Sequence, residues 1–537
     1  MCHSADTLAS GVRSLFGFRC NSDPARNRAR GNQLIREMDR LMLEPLALES
    51  RNFINGEWHV GLGGRRTVLN PSTGAPCAEV TEVSVAQLQE AVAAARAALL
   101  GWRQRSPLDR AHFMKRIAAL VRRDALRLAQ IVVMEQGKPM NEALGEVGGT
   151  AEFFDYYAEF ARRIQGEILP SDAAGEQIWI QRVPIGVVGA IIPWNYPSAL
   201  VSRKVAPSMI AGDTIVLKPH EMTPLSALEM GRIFQEAGVP PGVVNIVCGA
   251  GELIGHAMSS SPDIDMLTMT GSVPTGKRIM QAAADHLTPV SLELGGKAPF
   301  IVMPDCNLDM AVRAAASSRY MNCGQVCICN ERTLVHRDIH DEFVERFLAF
   351  SKSLRIGDPM DRRTDIGPKV SLAELEKVER YVDAAVSAGA QLRLGGRRLQ
   401  NPPTPGGYWF EPTVFTGVDP SMEIMNREVF GPVLPIMAFG DFEEALNIAN
   451  ASRYGLSAYL FTDHMPTIMK AVSEIQFGEL YVNRIGPESL QGFHVGYGDS
   501  GVGGDDGVHG LEAYMRKKTV YLNHSGTSPV GLMPYGG

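Results

Sequence analysis

The sequence has little of what would tie a chain to a membrane, a nucleic acid or an oxidising compartment. No apolar run among its 537 residues approaches the roughly 18 residues that a membrane-spanning helix needs. Basic residues are outnumbered, 52 Lys and Arg against 59 Asp and Glu, and the net charge of −7 offers no broad footprint for phosphate backbones or anionic lipid. Cysteine is scarce. There are eight in all, with three crowded at 323, 327 and 329, no CxxC pair, and no nearby His pair to complete a zinc pattern. Neither a disulfide framework nor a metal site is expected, and free thiols suit a reducing, cytoplasmic location. Internal repeats and low-complexity tracts are also lacking. What remains is a globular composition, 45% hydrophobic and 21% charged, in a chain too long for one ordinary core. Two or three domains are expected.

Residues 1–41 stand apart, with Arg13, Arg19, Arg26, Arg28 and Arg30 and little apolar periodicity before Leu34. They read as a disordered N-terminal extension, or as the product of a start codon placed upstream of Met38 or Met42. Asp6 and Asp23 argue against a transit peptide. Globular sequence begins near Asn52 with FINGEWH, a short strand and turn. Ser84 and Gln87 form a capping box ahead of apolar residues at helical spacing, namely Val85, Leu88, Val92, Ala95 and Leu99. Ser106-Pro107 opens a second helix, and a third runs from Asp124 until Gly137 and Pro139 stop it.

From about Gly186 short apolar runs alternate with helical stretches. GVVGAII (186–192), DTIVLK (213–218), VVNIV (243–247) and DMLTMT (265–270) read as buried strands. A second alternating block follows Gly295-Gly296, with PFIVM (299–303), a helix from about Leu308, RTLVH (332–336) and a long helix from Ile339. Two α/β units with parallel sheets are predicted, joined near the Gly-Gly step. KTVYLN (518–523) reads as a terminal strand that needs a partner from elsewhere.

Three segments carry chemistry. In NCGQVCICNER (322–332), small and polar residues surround Cys327, and Gly324 permits a tight backbone approach just before it. A thiolate is the side-chain nucleophile best matched to an aldehyde carbonyl near neutral pH. In SLELGGK (291–297), Glu293 stands between two leucines ahead of two glycines, where its carboxylate could activate water against a thioester. PWNYP (193–197) ends a predicted strand, and its two prolines stiffen a turn from which Asn195 could offer its amide to a developing oxyanion.

In order and spacing these motifs resemble the aldehyde dehydrogenase superfamily, from about Phe53 to Asn523. PWNYP, KPHEMTP (218–224), TGSVPTG (270–276), SLELGGK, GQVC and EVFGPV (428–433) all take part, and 327 − 293 = 34 residues separate the Glu from the Cys, as in that family. The resemblance implies an α/β aldehyde dehydrogenase fold with a variant Rossmann cofactor domain, an α/β catalytic domain and a small β oligomerisation element. It places the cofactor domain at 50–165 and 184–294, the catalytic domain at 295–495, and the oligomerisation element at 166–183 and 510–526, in a homodimer or homotetramer. It also accounts for the missing GxGxxG loop, because the family brings the helix opened by TGSVPTG toward the pyrophosphate.

By the same resemblance Gly271 and Ser272 approach the phosphates, Lys218 and Glu221 hold the adenosine ribose, Glu428 holds the nicotinamide ribose, and Trp194 and Phe430 line the nicotinamide pocket. A carboxylate at Glu221 favours NAD, with NADP possible. Cys327, Glu293 and Asn195 would form the catalytic set, yielding the acid through a thiohemiacetal and a thioester. Arg203 lies eight residues after Asn195, a little over two helical turns, and implies a polar or anionic group on the substrate. Succinate-semialdehyde dehydrogenases resemble the chain at Arg203-Lys204 but carry a second Arg where Met321 stands here. The run 481–510, with QGFH and GGDDGVHG, looks like lactaldehyde and glycolaldehyde dehydrogenases and implies His494 near the substrate hydroxyl. A small hydroxylated aldehyde is the expected substrate. A carboxylated semialdehyde and a catalytically silent, structural member are the alternatives.

Overall fold

The computed structural model describes residues 46–526, so the expected N-terminal extension lies outside the described residues. Ser84 caps the helix Val85–Arg103 with the reciprocal Gln87 bond, Pro107 begins Pro107–Arg123, and Ala125–Gln136 ends on Gly137 in the left-handed conformation. All three termini follow from local sequence.

Two large sheets dominate. In the first, Val187–Ile191 lies at the centre, with Thr214–Lys218 and then Val244–Ile246 parallel on one side. Met266–Thr270 and Val290–Glu293 are parallel on the other side. Antiparallel pieces, Asn52–Ile54 and Gly501–Val502, close the flanks. Alternate residues leave on opposite faces, as the pleat requires. Val187, Val216 and Leu267 pack under the helices Val85–Arg103 and Val273–Ala283, whereas Val188, Ile215 and Leu217 join the larger core built on the other helices.

The second sheet has the order Gln391–Leu394, Thr413–Thr416, Val433–Phe439, Asn330–His336, Ala298–Val302, Ser457–Phe461, Glu479–Val482, and only the first pair is antiparallel. Ile301 and Leu334 face one core, Phe300, Val302 and Val335 the other. A third sheet resolves the terminal strand. Met515–Asn523 pairs antiparallel with Glu176–Pro184 along its whole length, and Glu167–Pro170 adds the outer edge.

The chain direction in the two large sheets positions the site. In the first sheet the order reverses at Val187–Ile191, so a crevice opens at the carboxyl ends of Val187–Ile191 and Met266–Thr270. The amino ends of the second sheet's strands meet it there. Gly295-Gly296 leads into Ala298–Val302, Cys327 precedes Asn330–His336, and Glu428 precedes Val433–Phe439.

Candidate active site

A cavity of about 640 Å³ fills this crevice, well within the range of small-molecule sites. Nine of the twelve residues singled out from the sequence line it: Trp194, Asn195, Lys218, Glu221, Gly271, Ser272, Cys327, Glu428 and Phe430. Glu293, Arg203 and His494 do not line it; they stand behind it.

Cys327 is the one of the three clustered thiols that reaches the cavity, since Cys323 and Cys329 are buried. Burial pushes the Cys323 thiol up to about 11 and the Cys329 thiol up to about 12, which keeps both protonated. The backbone that presents Cys327 is bent sharply. Asn322, Cys323 and Gly324 lie consecutively in the left-handed region, at φ 48°, 55° and 73°. Only Gly fits the last position, because a Cβ there would meet the Gly431 carbonyl oxygen at 2.2 Å. Non-glycine residues persist in this region when their surroundings over-determine them, and here they do. Asn322 N–H donates to Glu142 at 2.8 Å, the Arg319 guanidinium donates to Gly324 O at 2.9 Å, and Gln325 Nε2 donates back to Asn322 O at 2.9 Å.

Asn195 is held as firmly. Its Nδ2 donates to Gln325 O at 3.0 Å, fixing the amide plane and leaving its second N–H unassigned. Its backbone carbonyl accepts from Lys138 Nζ at 2.8 Å and from Asn322 Nδ2 at 3.0 Å. Lys138 is paired in turn with Glu146, which also accepts from the backbone N–H of Ser198 at 2.8 Å and of Ala199 at 3.2 Å, at the start of the helix Ala199–Ala211. A wholly buried ion pair thus clamps the turn that carries Asn195.

The far end of the cavity has the features of a dinucleotide cradle. Ser272 caps Val273–Ala283 without a side-chain bond to its amides, and Gly271, Ser272 and Thr275 face the cavity at this uncapped, anion-favouring terminus. Lys218 Nζ stands 3.6 Å from Glu221 at the end of a first-sheet strand. Burial would raise the Glu221 carboxyl, but His220 and Lys218 hold it below its ordinary value. Trp194 and Phe430 meet edge to face with centroids 5.4 Å apart. Gly295 leaves room for Glu428, since a Cβ there would fall 2.3 Å from the Glu428 carboxylate. That carboxyl accepts from Gly296 N–H at 2.9 Å, and burial, reinforced by Glu331, pushes it up to about 7. Phe430 has φ 56° and is pinned by Glu331, which accepts its N–H at 3.1 Å, and by Lys369, which donates to its carbonyl. The residues present fit a nicotinamide dinucleotide.

Residues 59–520 match the Aldehyde dehydrogenase family. The chain belongs to that family. As an aldehyde dehydrogenase it is an oxidoreductase that uses NAD or NADP. It is 47% identical over 474 residues to the 3,6-anhydro-alpha-L-galactose dehydrogenase of Streptomyces coelicolor, covering 88% of this chain and 96% of that protein. It is 42% identical over 456 residues to the lactaldehyde dehydrogenase of Escherichia coli, covering 85% and 94%. A solved 3,6-anhydro-L-galactose dehydrogenase in complex with NAP superposes with a TM-score of 0.87 at 43% identity, covering 88% of this chain and 99% of that one.

Behind Cys327 the aldehyde dehydrogenase site is charged and buried. Glu293 ends the strand Val290–Glu293, and neither of its carboxylate oxygens has a hydrogen-bond partner among the described residues. Burial pushes it up to about 8, with His494 opposing. His494 is buried, not a surface loop residue, with Nε2 3.5 Å from Glu293 and Nδ1 3.1 Å from Glu479. Arg203 projects from Ala199–Ala211 into ion pairs with Glu488 and Asp506, its Nε 3.1 Å from Asp506 Oδ1, and the adjacent Lys204 pairs with Asp505. Met321 packs in the apolar cluster beside Cys327, where its sulfur accepts from the Tyr196 hydroxyl at 3.4 Å.

Sequence reasoning overlooked Lys138, Glu146, Gln325, Glu331 and Lys369, and the carboxylates Glu479, Glu488, Asp505 and Asp506. Gln325 and Glu331 lay inside the cysteine segment already singled out, and Asp505-Asp506 inside the glycine-rich run. Lys138 and Glu146 offered only a Gly-Lys-Pro step at a helix end.

Proposed function

We propose that the enzyme oxidises a small hydroxylated aldehyde, such as lactaldehyde or glycolaldehyde, to its acid, with Cys327 as nucleophile, Asn195 as oxyanion donor and Glu293 as base. The observation that carries the catalytic assignment is that Cys327 and Asn195 line one cavity while Glu293 stands behind it. One thiol of three reaches it, an amide is locked by the segment that carries that thiol, and a buried carboxylate stands behind with neither oxygen hydrogen-bonded among the described residues. Cys327 adds to the aldehyde carbon, and the free Asn195 N–H and the Cys327 backbone N–H hold the oxyanion. A bound nicotinamide dinucleotide would supply the acceptor for the hydride. Gly271, Ser272, Lys218, Glu221, Glu428, Trp194 and Phe430 would hold it, and the Glu221 carboxylate favours NAD over NADP by repelling a 2′-phosphate. Glu293 then takes a proton from the water that releases the acid.

For the substrate, the charges behind Cys327 support a neutral, oxygenated molecule. Arg203, Lys204 and His494 face five carboxylates, Glu293, Glu479, Glu488, Asp505 and Asp506, so no cation there is left over for a carboxylated aldehyde. Hydroxyl recognition by His494 or by the edge of Arg203 fits that balance, and the similarity to a lactaldehyde dehydrogenase agrees with it. The three-stranded sheet, whose Ile168 and Tyr521 are exposed, would pair subunits into a homodimer or homotetramer. Reduction of NAD and of NADP with lactaldehyde, glycolaldehyde, 3,6-anhydrogalactose, succinate semialdehyde and propanal is the test. The highest kcat/KM should fall on a hydroxylated aldehyde. A maximum on succinate semialdehyde replaces this reading with the semialdehyde one, and no turnover at all would make the protein a silent member.

A further inference from the structure

We propose that His494 is the charge partner that keeps Glu293 ionised for hydrolysis of the acyl-enzyme, a role beyond contact with the substrate hydroxyl that rests on the assignments of Cys327 and Glu293 above. The geometry is unusual for a loop histidine. Its Nε2 lies 3.5 Å from Glu293 Oε2. Its other face is fixed, with Nδ1 3.1 Å from Glu479, which itself accepts from the Tyr481 hydroxyl at 3.0 Å, and 4.0 Å from Glu488. Paired backbone bonds with Asp505, 2.9 and 2.8 Å long, hold the main chain.

Every element packed around the ring contributes charge. Glu293 comes from the first sheet, Glu479 from the second, Glu488 from the following loop, Arg203 from the helix Ala199–Ala211, and Asp505 with Asp506 from the glycine-rich run. Burial alone disfavours the imidazolium, yet Glu488 and Glu293 outweigh it and hold His494 well above the ordinary imidazole range, against Arg203. These contacts favour the imidazolium beside Glu293, the carboxylate that exchanges a proton with water in hydrolysis.

That exchange defines the role. In hydrolysis the Glu293 carboxylate removes one proton from water as the water oxygen bonds to the thioester carbon. The tetrahedral oxyanion then collapses, the C–S bond breaks, its electron pair stays on the Cys327 sulfur, and the acid departs. One negative charge has moved from Glu293 to sulfur. An enclosed carboxylate tends to keep its proton unless a cation stands beside it, and His494 Nε2, 3.5 Å from Glu293, is that cation.

The test uses the full-length enzyme without cofactor and p-nitrophenyl acetate, which acylates a reactive thiol directly and isolates thioester hydrolysis. The parent should give a stoichiometric burst of nitrophenolate followed by slower turnover with an acid limb. In His494→Gln the burst should persist while the limb moves to higher pH, by roughly one to three units, since an opposite charge at this range shifts a carboxyl by that much. Glu479→Gln, which loosens the ring without removing it, should move the limb the same way by less. An unmoved limb in both variants, with only a raised KM for hydroxylated aldehydes, overturns the proposal and leaves His494 a substrate contact. If His494→Gln does not fold, an unmoved limb in Glu479→Gln overturns it alone. A parent without a burst removes the nucleophile assignment itself, and this proposal with it.

Discussion

The two ends of the active-site cavity are built in different ways. The end proposed to hold the cofactor is made of strand termini and the short turns that follow them. Lys218 and Glu221 are three residues apart, Gly271 and Ser272 adjoin, and Glu428 and Phe430 share one loop. The chamber behind Cys327 is assembled from distant segments. Arg203 meets Asp506 across 303 residues, Lys204 meets Asp505 across 301, and His494 joins the end of the strand Val290–Glu293. A site coded in contiguous motifs can keep one chemistry across many relatives. One made of long-range ion pairs can be re-tuned by a single change in any contributing segment.

The sharpest break in that comparison is at the junction itself. Cys327→Ser should leave cofactor binding intact, measured by fluorescence titration, while oxidation falls by roughly four decades or more. Retained activity would move the nucleophile elsewhere. Next, Arg203→Leu should strip the counter-charge from two enclosed carboxylates and destabilise the protein by about 3–5 kcal/mol, read as a lowered Tm. A stable variant that selectively loses hydroxylated substrates would show that the guanidinium serves the aldehyde more than the fold. Asn195→Ala should cost about two to three decades in kcat with little change in KM, as for loss of one oxyanion donor. Equal losses for binding and turnover would instead assign Asn195 to the architecture of the turn. The smallest effects belong to Cys323→Ser and Cys329→Ser. Each places a hydroxyl where burial excludes water, costing about 1–3 kcal/mol of stability, and each should still give full NADH yield from a limiting aldehyde. A dead Cys329→Ser would reverse the choice among the three thiols.

Helix caps, the alternation of strand and helix, and the three chemical motifs were legible in the amino-acid sequence because each depends on neighbours a few residues away. Ser84 with Gln87 caps a helix, Gly137 ends one, and Pro107 opens one through local hydrogen bonds and φ preferences alone. Cys327, Glu293 and Asn195 sit at element ends, where short-range patterning already shows that the chain turns. The spacing of Arg203 from Asn195, a little over two helical turns, suggested that both face one cavity; Asn195 lines it and Arg203 does not. Tertiary structure decided that, because the carboxylates of Glu488 and Asp506 arrive from hundreds of residues away and Coulomb attraction in a dry interior captures the cation. The same holds for His494. In sequence it is a polar residue in a glycine-rich loop. Only the meeting of two sheets buries it between Glu479 and Glu293, and burial among carboxylates, which no local pattern encodes, makes it a charged part of the site.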